Sequence, residues 1–491
     1  MRKKALALAL LLFVACSTNP VTGKREFNLV SEADELAMGQ QSHPEVMQEF
    51  GLYDEKPELN ALVDRIGKRI AAVSDRPNLP WHFTLLDTPM VNAMALPGGY
   101  VYVTRGILER MNSEDELAGV IAHEVSHVAA RHSARSISQQ QLAQIGLGIA
   151  SIVAGPVASE AYGGLVQLGA GLLFTRYSRQ QETQADLLGT AYMTEAGYNP
   201  RGAENMLKAL QRLENGDTTA LDRYFIDHPD PGKRVNDVHG EINKLQAKNA
   251  SIGTGPLDRN SFVRRLDGVI TSDSTMQTTV RNNTIYNRRY GIILTAPPGW
   301  DARAEPGTVF VLAPKRSQTG EAFFAQEVPL QKLQGYANVQ TAVRNQLQQM
   351  GLQYAQTGSA QTASGQRFNI DVWTGNTQSG QVIVQSTQFT DAGNAVVFMQ
   401  MSPANRRGSD LAAILQTMQI DRARARSAEP PRLRIETTRA GDTWQELARR
   451  ATGNTNDAAE IAKMNGFDYP SNVPAGIAVK LPEQVAGSSK S

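Results

Sequence analysis

The sequence predicts an α+β multidomain chain. A mainly helical region with a small edge sheet covers residues 17–270, an α+β region with an antiparallel sheet covers 275–421, and a small module closes the chain at 432–482. Three observations carry this division. Leu117, Val120, Ile121, Val125 and Val128 recur at helical spacing, and the pattern is helical again from Pro200 to Asn249. Between Thr275 and Asp421 it changes to short β-rich runs separated by turn residues. A length of 491 residues sets a prior of about two to four domains, and a hydrophobic fraction of 41% supplies apolar side chains for folded cores.

At the N-terminus, Arg2, Lys3 and Lys4 precede an apolar run from Ala5 to Ala15 that is too short for a stable membrane anchor and ends at Cys16. The arrangement reads as an export signal over residues 1–16. Cys16 is the only cysteine, so the mature chain is expected to hold no internal disulfide. Leu12-Phe13-Val14-Ala15-Cys16 resembles a bacterial lipoprotein processing site, with Phe13 where leucine is usual. That resemblance implies lipidation of Cys16, and Ser17 after it points to the outer membrane by the sorting rule of enteric bacteria. The expected location is therefore the periplasm, lipid-anchored.

Tyr100-Val101-Tyr102-Val103-Thr104 follows a Pro-Gly-Gly turn and is β-branched and aromatic, hence a strand. Ser113 with Glu116 three residues on, and acidic residues in the first turn, then start a helix. His123-Glu124-Val125-Ser126-His127 lies in its middle. Residues i and i+4 share a helix face, so His123 and His127 converge on one ion, and Glu124 beside it is a general base for water. A third ligand is needed. Glu182 and Asp186 share a face of a second helical segment, which suits one carboxylate on the metal and one holding a ligand imidazole. Taken alone, that segment also reads as two solvated carboxylates on a polar face.

The combination of this motif with Glu182-Thr183-Gln184-Ala185-Asp186, and with His228-Pro229 followed by Arg234, resembles the gluzincin metalloproteases of the HtpX, BepA and CAAX prenyl protease group. The likeness is to their periplasmic lipoprotein members. Asn19 to Arg25 and Val91 to Val101 read the same way, so the resemblance covers roughly residues 16–270. It implies a mainly helical zincin-type domain with one Zn2+ per chain held by His123, His127 and Glu182. Glu124 would be the base, with Asp186 behind the ligands. It also implies that a peptide binds by adding a strand to an open edge, with Asn92 and Ala93 presenting backbone groups. His228 has three readings: an oxyanion donor that aids catalysis, a fourth ligand that closes the site, or a surface loop histidine before a Pro-Asp-Pro turn. Arg234 is expected to tie its loop to a carboxylate. His132, five residues beyond His127, falls off the ligand face, and with His43, His82 and His239 it reads as structural or solvated.

From Gln141 to Phe174 the chain is apolar and Gly-rich, but Pro156, Glu160 and Gln167 interrupt it and each run is too short to span a bilayer. It reads as helical segments beside the cleft that act as a lid; membrane contact is the alternative. Ser251 to Pro256 is linker-like. In 275–421 no titratable cluster stands out, which leaves a binding or structural role. The tail, from Leu433 through Gly441-Asp442-Thr443-Trp444 and Met464-Asn465-Gly466 to Pro482, resembles a LysM module. That implies a βααβ order and either a hold on peptidoglycan glycan or a packing role.

With 49 Lys+Arg against 48 Asp+Glu the formal charge is +1, which excludes the basic stripe of a nucleic-acid binder. The expected activity is hydrolysis of peptide bonds in unfolded or misassembled envelope proteins. The alternative is an outer-membrane assembly factor or peptidoglycan-binding protein with latent protease activity.

Overall fold

The computed structural model describes residues 16–139, 177–214, 228, 231–271, 275, 277–304, 308–314, 321–333, 335–377, 380–391, 393–404 and 411–483. Residues 1–15 of the expected export signal (1–16) and the apolar stretch from Gln141 to Phe174 lie outside them. The chain forms two compact units. One comprises the chain up to Val269 with 435–448 and 455–481; the other comprises 270–434 with 449–454 and the last residues from Pro482.

The first unit begins with strands β1 (Cys16–Thr18) and β2 (Arg25–Phe27), paired antiparallel. The Asn19 carboxamide turns the chain between them by accepting from the amides of Val21 and Thr22. Helices α1 (Glu32–Phe50) and α2 (Pro57–Ala71) follow. Strands β3 (His82–Leu86), β4 (Ala93–Leu96) and β5 (Tyr100–Thr104) form a sheet of order β3-β5-β4, with β3 parallel and β4 antiparallel to β5. Every residue of β5 is buried, as expected for a central strand covered on both faces. A short helix, α3 (Arg105–Leu108), leads to α4 (Glu114–Ala129), and then come α5 (Arg179–Glu195), α6 (Arg201–Glu214), α7 (Pro231–Lys248) and α8 (Arg259–Arg265).

Helix α4 is the centre of this unit, and its ends are tied down. Ser113 caps it by accepting from the Glu116 amide, while the Glu116 carboxylate reaches past Ser113 to the amide of Asn112 at 2.7 Å. The sequence suggests a capping box on Ser113 itself; the return bond is displaced by one residue. At the other end, buried Glu35 of α1 receives Arg131 at 2.6 Å and Arg76 at 2.7 Å.

The second unit holds strands β6 (Thr278–Arg281), β7 (Thr284–Asn287), β8 (Ile292–Thr295), β9 (Trp300–Arg303), β10 (Phe310–Pro314), β11 (Ala322–Pro329), β12 (Gln353–Gln361), β13 (Arg367–Thr377), β14 (Gly380–Asp391), β15 (Asn394–Pro403) and β16 (Gln419–Ile420). Its helices include α9 (Val339–Gln349), α10 (Leu411–Thr417) and α11 (Arg422–Arg426). A seven-stranded sheet runs β12-β13-β14-β15-β11-β10-β9 and a four-stranded sheet runs β16-β8-β7-β6, all antiparallel. Strand β15 shows why the run from Ala395 to Met399 is apolar throughout. Val396 and Phe398 pack with Ile414 and Leu415 of α10, whereas Ala395 and Val397 pack with Val339 of α9, so alternate residues serve cores on opposite faces.

Toward the C-terminus come β17 (Leu433–Thr437), α12 (Trp444–Thr452), α13 (Ala458–Met464) and β18 (Ala478–Pro482), with β17 and β18 forming a two-stranded sheet. Most of this segment packs with the helical unit.

Candidate metal centre

Helix α5 reaches α4 because Gly189 lacks a side chain at the crossing. A Cβ there would lie 3.0 Å from the Ala122 carbonyl carbon and 3.1 Å from the His123 amide nitrogen. Ser178 and Gln181 form a reciprocal capping box at the start of α5. This sets the helix so that Glu182 and Asp186, one turn apart, both face α4.

Four ligand atoms gather between the helices. His123 Nε2 lies 3.0 Å from His127 Nε2 and 3.4 Å from His228 Nδ1. Glu182 Oε1 lies 3.1 Å from His228 Nδ1 and 3.4 Å from His127 Nε2. A tetrahedron with metal–ligand bonds of about 2.1 Å has edges of about 3.4 Å, so this cage has the size of a zinc-type site. His123, His127, Glu182 and His228 are the one such group among the described residues.

The opposite ring nitrogens explain why a cation belongs there. His123 Nδ1–H donates to Asp186 Oδ1 at 2.9 Å. His127 Nδ1 meets His132 Nδ1 at 2.9 Å, and His132 Nε2–H donates to Gln184 Oε1 at 3.2 Å, so His132 accepts and His127 donates. The two Nε2 atoms then face each other at 3.0 Å with Glu182 Oε1 3.4 Å from that of His127, an arrangement that one metal ion between them would satisfy. The residues fit a bound metal ion.

His123, Glu124, His127, His132, Glu182, Asp186, His228 and Arg234 are each at most 4% exposed, so their interactions act with little screening by water. Arg234 forks onto Asp186, with Nε to Oδ2 at 2.7 Å and Nη2 to Oδ1 at 2.8 Å, and its Nη1 lies 2.9 Å from Glu182 Oε2. Burial opposes ionisation of Asp186, but Arg234 and His123 outweigh it and hold the carboxyl below its usual range. Burial pushes Glu124 up, against the pull of His228 and His123. Burial disfavours the charged form of His228, yet Glu182 and Glu124 overcome it and lift its pKa to about 9. Glu124 Oε1 lies 3.9 Å from His228 Nε2, and its Oε2 has no hydrogen-bond partner among the described residues.

The structure thus brings His123, Glu124, His127, Glu182, Asp186, His228 and Arg234 together. Asn92 and Ala93 have their amides engaged within the chain. The Asn92 amide donates to Thr104 Oγ1 at 3.1 Å, its carbonyl accepts from Thr104, and its side chain accepts the Ala93 amide at 3.0 Å. Both residues are 1% exposed. Strand β4 is an edge of its sheet, but the amides of Asn92 and Ala93 are already committed within the chain.

His132 is the functional residue that spacing alone misplaces. Helix α4 ends at Ala129, and Arg131 adopts φ 58°, so the chain folds back and carries His132 onto His127 instead of continuing around the helix. No glycine or asparagine marks that turn, so the sequence carries no signal for it. Tyr177, just ahead of α5, stacks on the His127 ring with centroids 3.9 Å apart. Of the other histidines, His43 bonds Tyr102 Oη at 2.8 Å, and His82 and His239 are exposed.

Comparison with known proteins agrees with this geometry. The family model described as Peptidase family M48 matches residues 57–242, which contain every residue of the cage. The mitochondrial metalloendopeptidase OMA1 of Schizosaccharomyces pombe is 34% identical over 234 residues, 47% of this chain and 67% of the relative. OMA1 of Arabidopsis thaliana is 34% identical over 180 residues, 36% of this chain and 35% of the relative. The beta-barrel assembly-enhancing protease of Escherichia coli (strain K12) is 26% identical over 241 residues, 47% of this chain and 48% of the relative. The chain therefore spans two thirds of the fission-yeast relative and under half of the other two. With a third of the positions shared across most of one metalloendopeptidase, and the family match laid over the helices that build the cage, this chain belongs to peptidase family M48 and is a metalloendopeptidase.

Proposed function

We propose that this chain is a zinc endopeptidase of the bacterial cell envelope, of the HtpX and BepA type, that hydrolyses peptide bonds in misfolded or misassembled envelope proteins. The observation that carries the reading is the pair of Nε2 atoms facing each other at 3.0 Å, closed by Glu182 and backed by Asp186 and His132. His123, His127 and Glu182 would hold the ion, one per chain. When bound, zinc supplies a Lewis acid that acidifies water and polarises a carbonyl.

The chain's own groups do the rest. Glu124 Oε2 is placed to take a proton from the attacking water, and its raised pKa suits it to keep that proton until the leaving amine nitrogen collects it. Asp186, clamped by Arg234, keeps His123 Nδ1 protonated and Nε2 free to bind. His228 Nδ1 occupies the fourth corner of the cage in this structure. A catalytic site keeps that corner open to substrate, so peptide hydrolysis would require His228 to leave it.

The export signal and the Leu12–Cys16 processing pattern support a periplasmic chain anchored to the outer membrane through Cys16. No helix among the described residues is long and apolar enough to cross a membrane. Residues 432–482 follow the βααβ order of a LysM module, which supports contact with peptidoglycan. The family match and the relatives named as proteases support a peptidase over an assembly factor or glycan-binding protein with latent activity.

The test is hydrolysis of unfolded casein by the purified chain beginning at Ser17. Zinc-dependent cleavage that disappears in Glu124→Gln is expected; cleavage retained by Glu124→Gln would overturn the assignment.

A further inference from the structure

The loop between α3 and α4 is held by a residue from the far end of the chain. Lys480 on β18 is 0% exposed, and its Nζ donates to the carbonyls of Glu109 at 2.6 Å and Met111 at 2.8 Å. Its own backbone is fixed by Asn465, whose Oδ1 accepts from the Lys480 amide at 2.8 Å and whose Nδ2 donates to the Lys480 carbonyl at 2.9 Å. Arg259 of α8 locks Asn465 in turn, donating to its carbonyl and to its Oδ1, each at 3.0 Å. Beside this, Arg110 pairs with Glu460 at 2.8 Å.

These bonds converge on the start of the active-site helix. Asn112 follows Met111 directly, and its amide is the one that donates to the Glu116 carboxylate from the first turn of α4. Ser113 beside it is the cap. From Ser113 to His123 the helix runs about 15 Å without a break, so a shift at its start is delivered to the ligands as a rigid displacement. Burying an amine is costly when apolar packing would serve for docking. Here the amine is aimed at two carbonyls of the one loop that sets where α4 begins, across 371 residues of sequence.

We infer that the C-terminal module braces the active-site helix, with Lys480 as a positioning residue that fixes the Glu109–Asn112 loop and so the reach of His123, Glu124 and His127 toward Glu182. The catalytic consequence rests on the peptidase reading; the mechanical one does not.

The test compares the full mature chain with Lys480→Met, which keeps the apolar stem and removes the donors. Amide hydrogen exchange is read over residues 109–120 and 455–464, and kcat and KM are read on dye-quenched casein. Exchange over 109–120 should accelerate about tenfold or more, because two buried carbonyls lose their donor. kcat should fall about tenfold with KM within about twofold, since α4 is displaced while substrate contacts stay. Unchanged exchange over 109–120 and unchanged kcat, in a variant whose 455–464 exchange shows an intact module, would overturn the inference. Should Lys480→Met fail to fold, Glu460→Gln decides at a half-exposed position: faster exchange at 109–112 supports the brace, and no change refutes it. If the wild-type chain cleaves nothing, the peptidase reading fails while the exchange data still judge the brace.

Discussion

His132 Nδ1 lies 2.9 Å from His127 Nδ1, so an imidazole at the cage is oriented from behind by a second imidazole. Burial lowers the pKa of His132 to about 4. It is therefore neutral at pH 7, and with Nε2–H given to Gln184 its Nδ1 can only accept. His127 is held in the tautomer that leaves Nε2 open.

Replacing His132 by Phe keeps the ring volume and removes the acceptor. Zinc affinity should fall about ten- to a hundredfold, the usual cost of losing a partner behind a ligand imidazole. Competition with a fluorescent chelator measures it, and an unchanged affinity would remove His132 from the centre.

Gly189→Ala tests the helix crossing. Alanine favours a helix by about 1 kcal/mol over glycine, but the new Cβ would meet backbone atoms of Ala122 and His123 at 3.0 and 3.1 Å, which no rotamer change relieves. Overpacking of this kind costs about 1–3 kcal/mol, so the variant should be destabilised by about 1 kcal/mol net and bind zinc more weakly. Urea denaturation and chelator competition read the two effects; a variant more stable than wild type would show that the helices are not in contact there.

What the sequence made legible follows from how local each feature is. The i, i+4 spacing of His123 and His127, and of Glu182 and Asp186, is a helix property and reads directly. The partner of Arg234 is anticipated only as a carboxylate, because nothing local distinguishes Asp186 from another acid. His132 is misplaced since the turn at Arg131 has no residue-type signature. The Asn92 amide reads as open because its competitor, Thr104, lies on another strand. The return of Lys480 to Glu109 leaves no trace in either segment, since each is ordinary until the two meet.

Metal-free protein should show an alkaline loss of stability from His228. Its folded pKa of about 9 stands above the unfolded value of about 6.5. The stabilisation is thus fully present below about pH 6.5 and is lost as pH rises through about 9, amounting to a few kcal/mol. Asp186 acts on the other limb: its carboxyl is depressed, so its contribution holds above about pH 3.8 and is lost as pH falls through its folded value. Thermal melts of chelator-treated protein from pH 6 to pH 10 should show the decline, and His228→Ala should flatten it. A flat wild-type profile would contradict the account.

Arg234→Met leaves Asp186 buried without its guanidinium. Breaking one side of a buried pair costs about 3–5 kcal/mol, and Arg234→Lys should recover only part, because an ammonium cannot fork onto both oxygens. Denaturation midpoints test the order wild type, Lys, Met; equal midpoints for all three would refute it.

The central claim is that His123, His127 and Glu182 hold one metal ion with Glu124 beside it as the proton carrier. Zinc content per chain, measured by atomic emission after equilibrium dialysis, tests it most directly across wild type, Glu124→Gln and Glu182→Ala. One zinc is expected in the first two and marked loss in Glu182→Ala. Equal zinc in all three, or none in the wild type, would contradict it.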